Sequence, residues 1–210
     1  MESIRALKHV AAALKHAELL ADEAEDLGEM EITRRIRLWV SNLSLVLDDA
    51  ESLYENIDPL REYRALAHDV LAAVYGDATL RLEQRLPVDA VAQLTPGGHL
   101  DVVERVRYRL RHLPQEGPAV AVRAQLETAL ATYDACVDMY LGTSSEAQAK
   151  KDAAVIRSQA MRIELERVKH ALLLRAPPGS EAWKRIKARA VRTKRARWID
   201  ETRARQLLAG

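Results

Sequence analysis

The sequence predicts an all-α fold: antiparallel helical bundles built from long helices, with a basic helix at the C-terminal end. Three observations carry this. Apolar residues recur at threes and fours through most of the chain, the period of one helix face. The stretch from Ser144 to Arg175 contains neither proline nor glycine. Hydrophobic residues reach 48%, yet aromatics are only 4% and phenylalanine is absent. Aliphatic side chains and alanine must therefore fill the core, which favours helix-on-helix packing over sheets.

The long stretch organises its neighbours. Steps of threes and fours from Ala147 reach Lys151, Ala154, Ser158, Met161, Leu165, Val168 and Leu172, a heptad-like seam with two polar positions. Ala149, Ala153, Ile156, Ala160 and Ile163 form a second stripe. Two adjoining stripes rich in alanine predict close neighbours on more than one side. Thr143 followed by Glu146 fits a capping box just after Gly142.

The first helix is expected from Ser3 to Leu27, stopped by Gly28, with Leu7, Val10, Leu14, Ala17, Leu20 and Ala21 inward. His9 and His16 fall seven apart on it, beside Lys8 and Lys15, and are expected at the surface. The second runs from Met30 to Asn56 through Ile36, Trp39, Leu43, Leu47 and Ala50. The Gly28 link makes the two an antiparallel hairpin. Asp58-Pro59 reads as a restart, with proline at the first helical position. The third helix then runs to Tyr75, and Gly76-Asp77 marks a break or kink before Ala78–Leu86.

Pro87 to His99 is irregular, with a short helix expected over Asp89–Leu94. Leu100–Leu113 reads as helix, with Arg105, Arg107, Arg109 and Arg111 on alternate positions and so spread around it. Pro114 to Pro118 is the firmest break in the middle of the chain. Ala119–Leu141 follows as a helix ended by Gly142, expected to fold back on the helix from Ser144 as an antiparallel pair. Ala176-Pro177-Pro178-Gly179 stops the long helix, and Ser180 caps the last one. These marks divide the chain into an N-terminal helical subdomain over 1–113, a long helical pair over 119–175 and a basic terminal helix over 180–210.

The net charge of +1 conceals an asymmetry. Between Trp183 and Arg205 ten bases face two acids, about +8, which leaves about −7 on the remainder. Lys184, Arg185, Lys187, Arg189, Arg192, Lys194, Arg195 and Arg197, with Trp183 and Trp198, are the candidate residues for an anionic partner. A helix polar nearly all round is poorly placed to hold itself by core burial. The candidate acidic surfaces are Asp22, Glu23, Glu25 and Asp26 near the end of the first helix, and Asp48 and Asp49 near the end of the second. Acids at a helix C-terminus oppose its dipole, and a nearby cation would relieve them.

Other chemistries have little support. No Glu-x-x-His, HExxH, CxxC or Gly-x-Ser-x-Gly pattern occurs, and the Gly97-Gly98 pair is not part of a phosphate loop. Glu166 and His170 are four apart but next to Lys169, as on a solvated face. No metal, no cofactor and no enzymatic activity are expected. The single Cys136 excludes an internal disulfide and fits a reducing compartment. No apolar run approaches a membrane span of about 18 residues, and Met1–Val10 is not a signal peptide. A cytoplasmic setting without membrane contact is expected. The functional expectation is a non-catalytic interaction or assembly subunit whose basic C-terminal helix engages an acidic protein surface, within one chain or between the copies of a homo-oligomer. The alternative is a nucleic-acid-binding protein that contacts backbone phosphates with little sequence preference.

Overall fold

A computed structural model describes residues 2–189 and 201–209, all of whose regular elements are helical. The order is α1 Glu2–Asp26, α2 Met30–Arg85, α3 Val88–Gln93, α4 Val102–His112, a 3-10 turn at Gly117–Ala119, α5 Val120–Arg175, α6 Glu181–Ala188 and α7 Glu201–Ala209. Arg192, Lys194, Arg195, Arg197 and Trp198 lie outside the described residues.

Three expected interruptions are absent. α2 continues through Pro59 and Gly76, and α5 continues through Gly142. The antiparallel pair expected over 119–175 is therefore one helix of 56 residues, with no fold-back at Gly142. Proline inside a helix costs about 3 kcal/mol and glycine about 1 kcal/mol against alanine. Pro59, Gly76 and Gly142 are all exposed. Water can satisfy the Glu55 carbonyl that Pro59 leaves without its amide, and around Gly76 the burial of Leu71, Ala78 and Leu82 offsets the cost of the glycine.

Gly28 does end α1. Its φ is +73°, its amide donates to the Glu25 carbonyl at 2.9 Å, and the Glu29 amide donates to the Ala24 carbonyl at 2.8 Å. That pair of bonds is a Schellman closure, which calls for a left-handed residue.

The chain packs as two compact units whose boundaries fall inside α2 and α5: Met1–Tyr54 with Ser145–Gly210, and Glu55–Ser144. This grouping differs from the three segments read from the sequence, because α2 and α5 each serve both units. In the first unit, Val10, Ala17, Leu20 and Ala24 of α1 meet Ile36, Leu43 and Ala50 of α2. The α5 seam closes on them: Ala154, Met161, Leu165 and Leu172 are fully buried, and Ser158 nearly so. Ala160 of the second stripe is buried and Ile156 and Ile163 are half-buried. Alanines at these contacts let the helices approach closely.

In the second unit, α2 and α5 run antiparallel: Arg64 lies over the Tyr140 ring, His68 meets Tyr133, and Arg81 donates to Gln125. Leu71, Ala78 and Leu82 pack with Val122, Leu126 and Ala129 under Val103 and Val106 of α4. Asp101 caps α4 by accepting from the Glu104 amide at 2.8 Å. Among the described residues Arg109 is the largest fully buried side chain, 2% exposed. Among the described residues no carboxylate lies within ion-pair distance of it, and Glu83 acts on it only from further off. Its Nε donates to the Leu94 carbonyl at the end of α3, its Nη1 to Thr79 Oγ1, and its guanidinium lies 4.4 Å from the Tyr75 ring centre. A helix C-terminal carbonyl and an aromatic face supply partial negative charge in place of an anion. The four alternating arginines thus differ sharply, since Arg107 turns outward to Asp134.

Candidate interaction site

The site forms in the first unit, where α6 lies across the C-terminal end of α1. Ser180 caps α6, its Oγ accepting from the Trp183 amide at 3.2 Å, and Glu181 sits in the first turn. Ile186 is fully buried and Trp183 packs partly against the same core. The apolar stripe of this segment is thin, and Ile186 is the buried residue of α6. The helix itself is shorter than expected. It ends at Ala188, where Arg189 turns to extended backbone with φ −71° and ψ 109°. The Lys169 amine of α5 holds the Arg189 carbonyl at that turn.

With Ile186 inserted, Arg185 and Arg189 both reach Glu23. Arg185 Nε donates to the two Glu23 oxygens at 2.9 and 3.0 Å, and Arg189 Nη2 donates to Oε1 at 2.9 Å. Arg185 Nη2 also donates to Asp26 at 3.3 Å. Glu23 is 4% exposed. Burial alone would raise its carboxyl pKa, but the hydrogen bonds and charges of the two arginines outweigh it and hold the group below the usual carboxylate range. The same contact raises the Arg185 guanidinium. Two cations at the C-terminal turns of α1 relieve the dipole conflict that its acids create.

The remaining candidate residues divide. Lys184 pairs with Glu181 within α6, and Lys187 lies 4.4 Å from the centre of the Trp183 ring. Asp22 and Glu25 meet Arg37 of α2. Asp49 accepts from Lys150 of α5 at 2.8 Å, and Asp48 lines an open depression beside it with Ser52, Leu53 and Glu146. Because α2 runs on past both, Asp48 and Asp49 are not at a helix end and oppose no terminal dipole. Among the described residues, this pair meets none of the basic segment.

Glu164 was not singled out from the sequence, and His16 was expected elsewhere. Glu164 of α5, 8% exposed, lies 3.1 Å from Arg167 and 3.7 Å from Arg205 of α7, whose Ala204 and Leu208 are buried in the same core. The signal was an acid between seam residues Met161 and Val168. His16 is half-buried, not at the surface as expected, and its Nε2 is enclosed without a hydrogen-bond partner. Burial, then the charges of Arg189, Lys169 and Arg162, lower its pKa, against a smaller opposing effect of Glu166. His9 is exposed. Glu166 and His170 lie 3.7 Å apart, with the histidine largely in solvent.

Among the described residues, no group of three or more His, Cys, Asp or Glu is placed to hold a metal ion. None of their helices is long and apolar enough to cross a membrane. Comparison with protein-family models, curated proteins and solved structures finds no match.

Proposed function

We propose that this chain is a non-catalytic helical interaction and assembly subunit whose basic C-terminal segment engages an acidic protein surface, the one formed by Glu23 and Asp26. The observation that carries this reading is the buried Glu23 carboxylate taking hydrogen bonds from both Arg185 and Arg189. A buried carboxylate is stable only with such partners. Within one chain the segment is a latch across α1 and α5. A second copy offers the same acidic surface, so exchange of the segment links copies into a homo-oligomer through unlike donor and acceptor patches. Cys136 is a free thiol, in keeping with a reducing, cytoplasmic setting.

The test is sedimentation of the full chain and of an Arg185→Ala/Arg189→Ala variant over a range of concentrations, with a labelled DNA duplex titrated at low and high salt. The reading expects a concentration-dependent oligomer that the variant loses, and little duplex binding. Identical association in both proteins contradicts it. Duplex binding that falls steeply with salt and vanishes in the variant favours phosphates as the partner.

A further inference from the structure

The second unit carries an uncovered apolar face on the side of the α2–α5 pair opposite α4. The sides are fixed by contacts. α4 lies over Thr79 and Asp134, which Arg109 and Arg107 reach. The other side is marked by the Arg81–Gln125 hydrogen bond. From Arg81, steps of three and four back along α2 lead through Asp77 and Ala73 to Val70, Leu66 and Tyr63, all exposed. From Gln125, the same steps forward along α5 lead through Thr128 and Thr132 to Ala135 and Met139, all exposed as well. Because side chains three and four apart share a helix face, these two rows flank one groove.

The exposure here is not incidental. Tyr63 and Leu66 are each 61% exposed, Val70 49% and Met139 58%. Between 55 and 70 only Ala67 is buried, and between 134 and 144 no residue is. Over that stretch the unit is a bare helical pair, while α4 covers the pair further along. The two threonines are also prepared for apolar contact. Thr128 and Thr132 donate their hydroxyls back to the Ala124 and Thr128 carbonyls, at 2.9 and 3.0 Å, and so need no polar partner from outside. From Tyr63 to Ala73 the groove is about 15 Å long, the span of about three helical turns.

Charge chooses the occupant. Glu55, Glu62 and Asp69 follow one another at seven-residue spacing along the outer edge of the α2 row, and Asp138 stands beside Met139 on the α5 side. Glu62 and Asp138 have no ion-pair partner among the described residues, and Asp69 faces only His68. The nearby bases are committed, Arg61 to Asp58 and Arg64 to the Tyr140 ring. A second copy docked by this same groove would bring acids against acids. We propose that the groove binds an amphipathic helix of a partner protein, with aliphatic residues at threes and fours on its inner face and Lys or Arg along both flanks. This inference is independent of the contact at Glu23.

The experiment uses the full-length chain and three labelled helical peptides: leucine-faced with lysine flanks, leucine-faced with glutamate flanks, and the lysine peptide scrambled. The lysine-flanked amphipathic peptide is expected to bind, and the other two to bind at least tenfold more weakly. Leu66→Ser/Val70→Ser should weaken binding at least tenfold without loss of helicity, because both positions are exposed. Glu62→Lys/Asp69→Lys should weaken it further at low salt than at high salt. Equal binding of the scrambled peptide, or binding unchanged in the Leu66/Val70 variant, overturns the proposal. So does self-association of the chain that the Leu66/Val70 variant abolishes, since a second copy would then be the occupant.

Discussion

Glu23 Oε1 accepts from Arg189 Nη2 at 2.9 Å across 166 positions of sequence. The contact joins the end of the first helix to the turn that ends α6. It depends on Ile186 being inserted into the core between the two arginines, so burial and charge pairing act together.

That pairing sets an acid limit. The Glu23 carboxyl is held below its ordinary value, so its contribution is complete above the unfolded-state value near 4.5 and is lost as pH falls through the lower folded value. The Glu23→Gln variant should therefore lose about 1–3 kcal/mol relative to the native chain at neutral pH. The gap should shrink below about pH 4. Urea denaturation at several pH values measures both.

His16 acts in a different window. Its folded pKa is lowered, first by burial and then by Arg189, Lys169 and Arg162, so the unfolded chain binds a proton that the folded chain resists. Stability is full above the unfolded value of about 6.5 and declines as pH falls below it, until the folded value is passed. Replacing His16 with glutamine should flatten the stability profile just below about pH 6.5. An unchanged slope there would place the titration elsewhere.

The glycines of the long helices and of the hairpin should respond with opposite signs. Gly142 and Gly76 are helical, and a Cβ at either meets nothing within 4 Å. Alanine at each should stabilise the protein by about 0.5–1 kcal/mol. Alanine at Gly28, with φ +73°, should destabilise it by about 1 kcal/mol, although the space there is equally open. Thermal melts of the three variants separate the backbone effect from any steric one.

Arg109 should tolerate no conservative replacement. Lysine keeps the charge but lacks the planar fork that serves Leu94 and Thr79 together, and burial already lowers the pKa of the group at this position. Arg109→Lys should cost about 2–4 kcal/mol, near the loss for a broken buried charge interaction. Helicity measured during urea unfolding would show it. A loss under about 0.5 kcal/mol, typical of surface substitutions, would show that the pocket is not specific for the fork.

The helical class, the α5 seam and the Gly28 closure were legible because each is a local or periodic property of the sequence. Ala154, Met161, Leu165 and Leu172 could be read as one face before any neighbour was known. Continuity at Pro59 and Gly142 was not legible, because local propensity argues for a break and no residue within a turn of either position is buried to signal otherwise. At the candidate site, the sequence pointed to the acids at the end of α1 and the bases after Trp183. It gave no means to choose Glu23 over Asp48, since that choice depends on where Ile186 inserts. Glu164 and Arg109 were missed because a charged residue is buried only when distant partners happen to meet it.

The pairing of the basic C-terminal segment with α1 is tested most directly by a double-mutant cycle between Glu23 and Arg189, read by urea denaturation at neutral pH and low salt. Glu23→Gln, Arg189→Gln and the double variant should show a coupling of about 1–2 kcal/mol, as for hydrogen-bonded charges. Losses that add within about 0.3 kcal/mol would contradict it, because two residues that do not interact behave in that way.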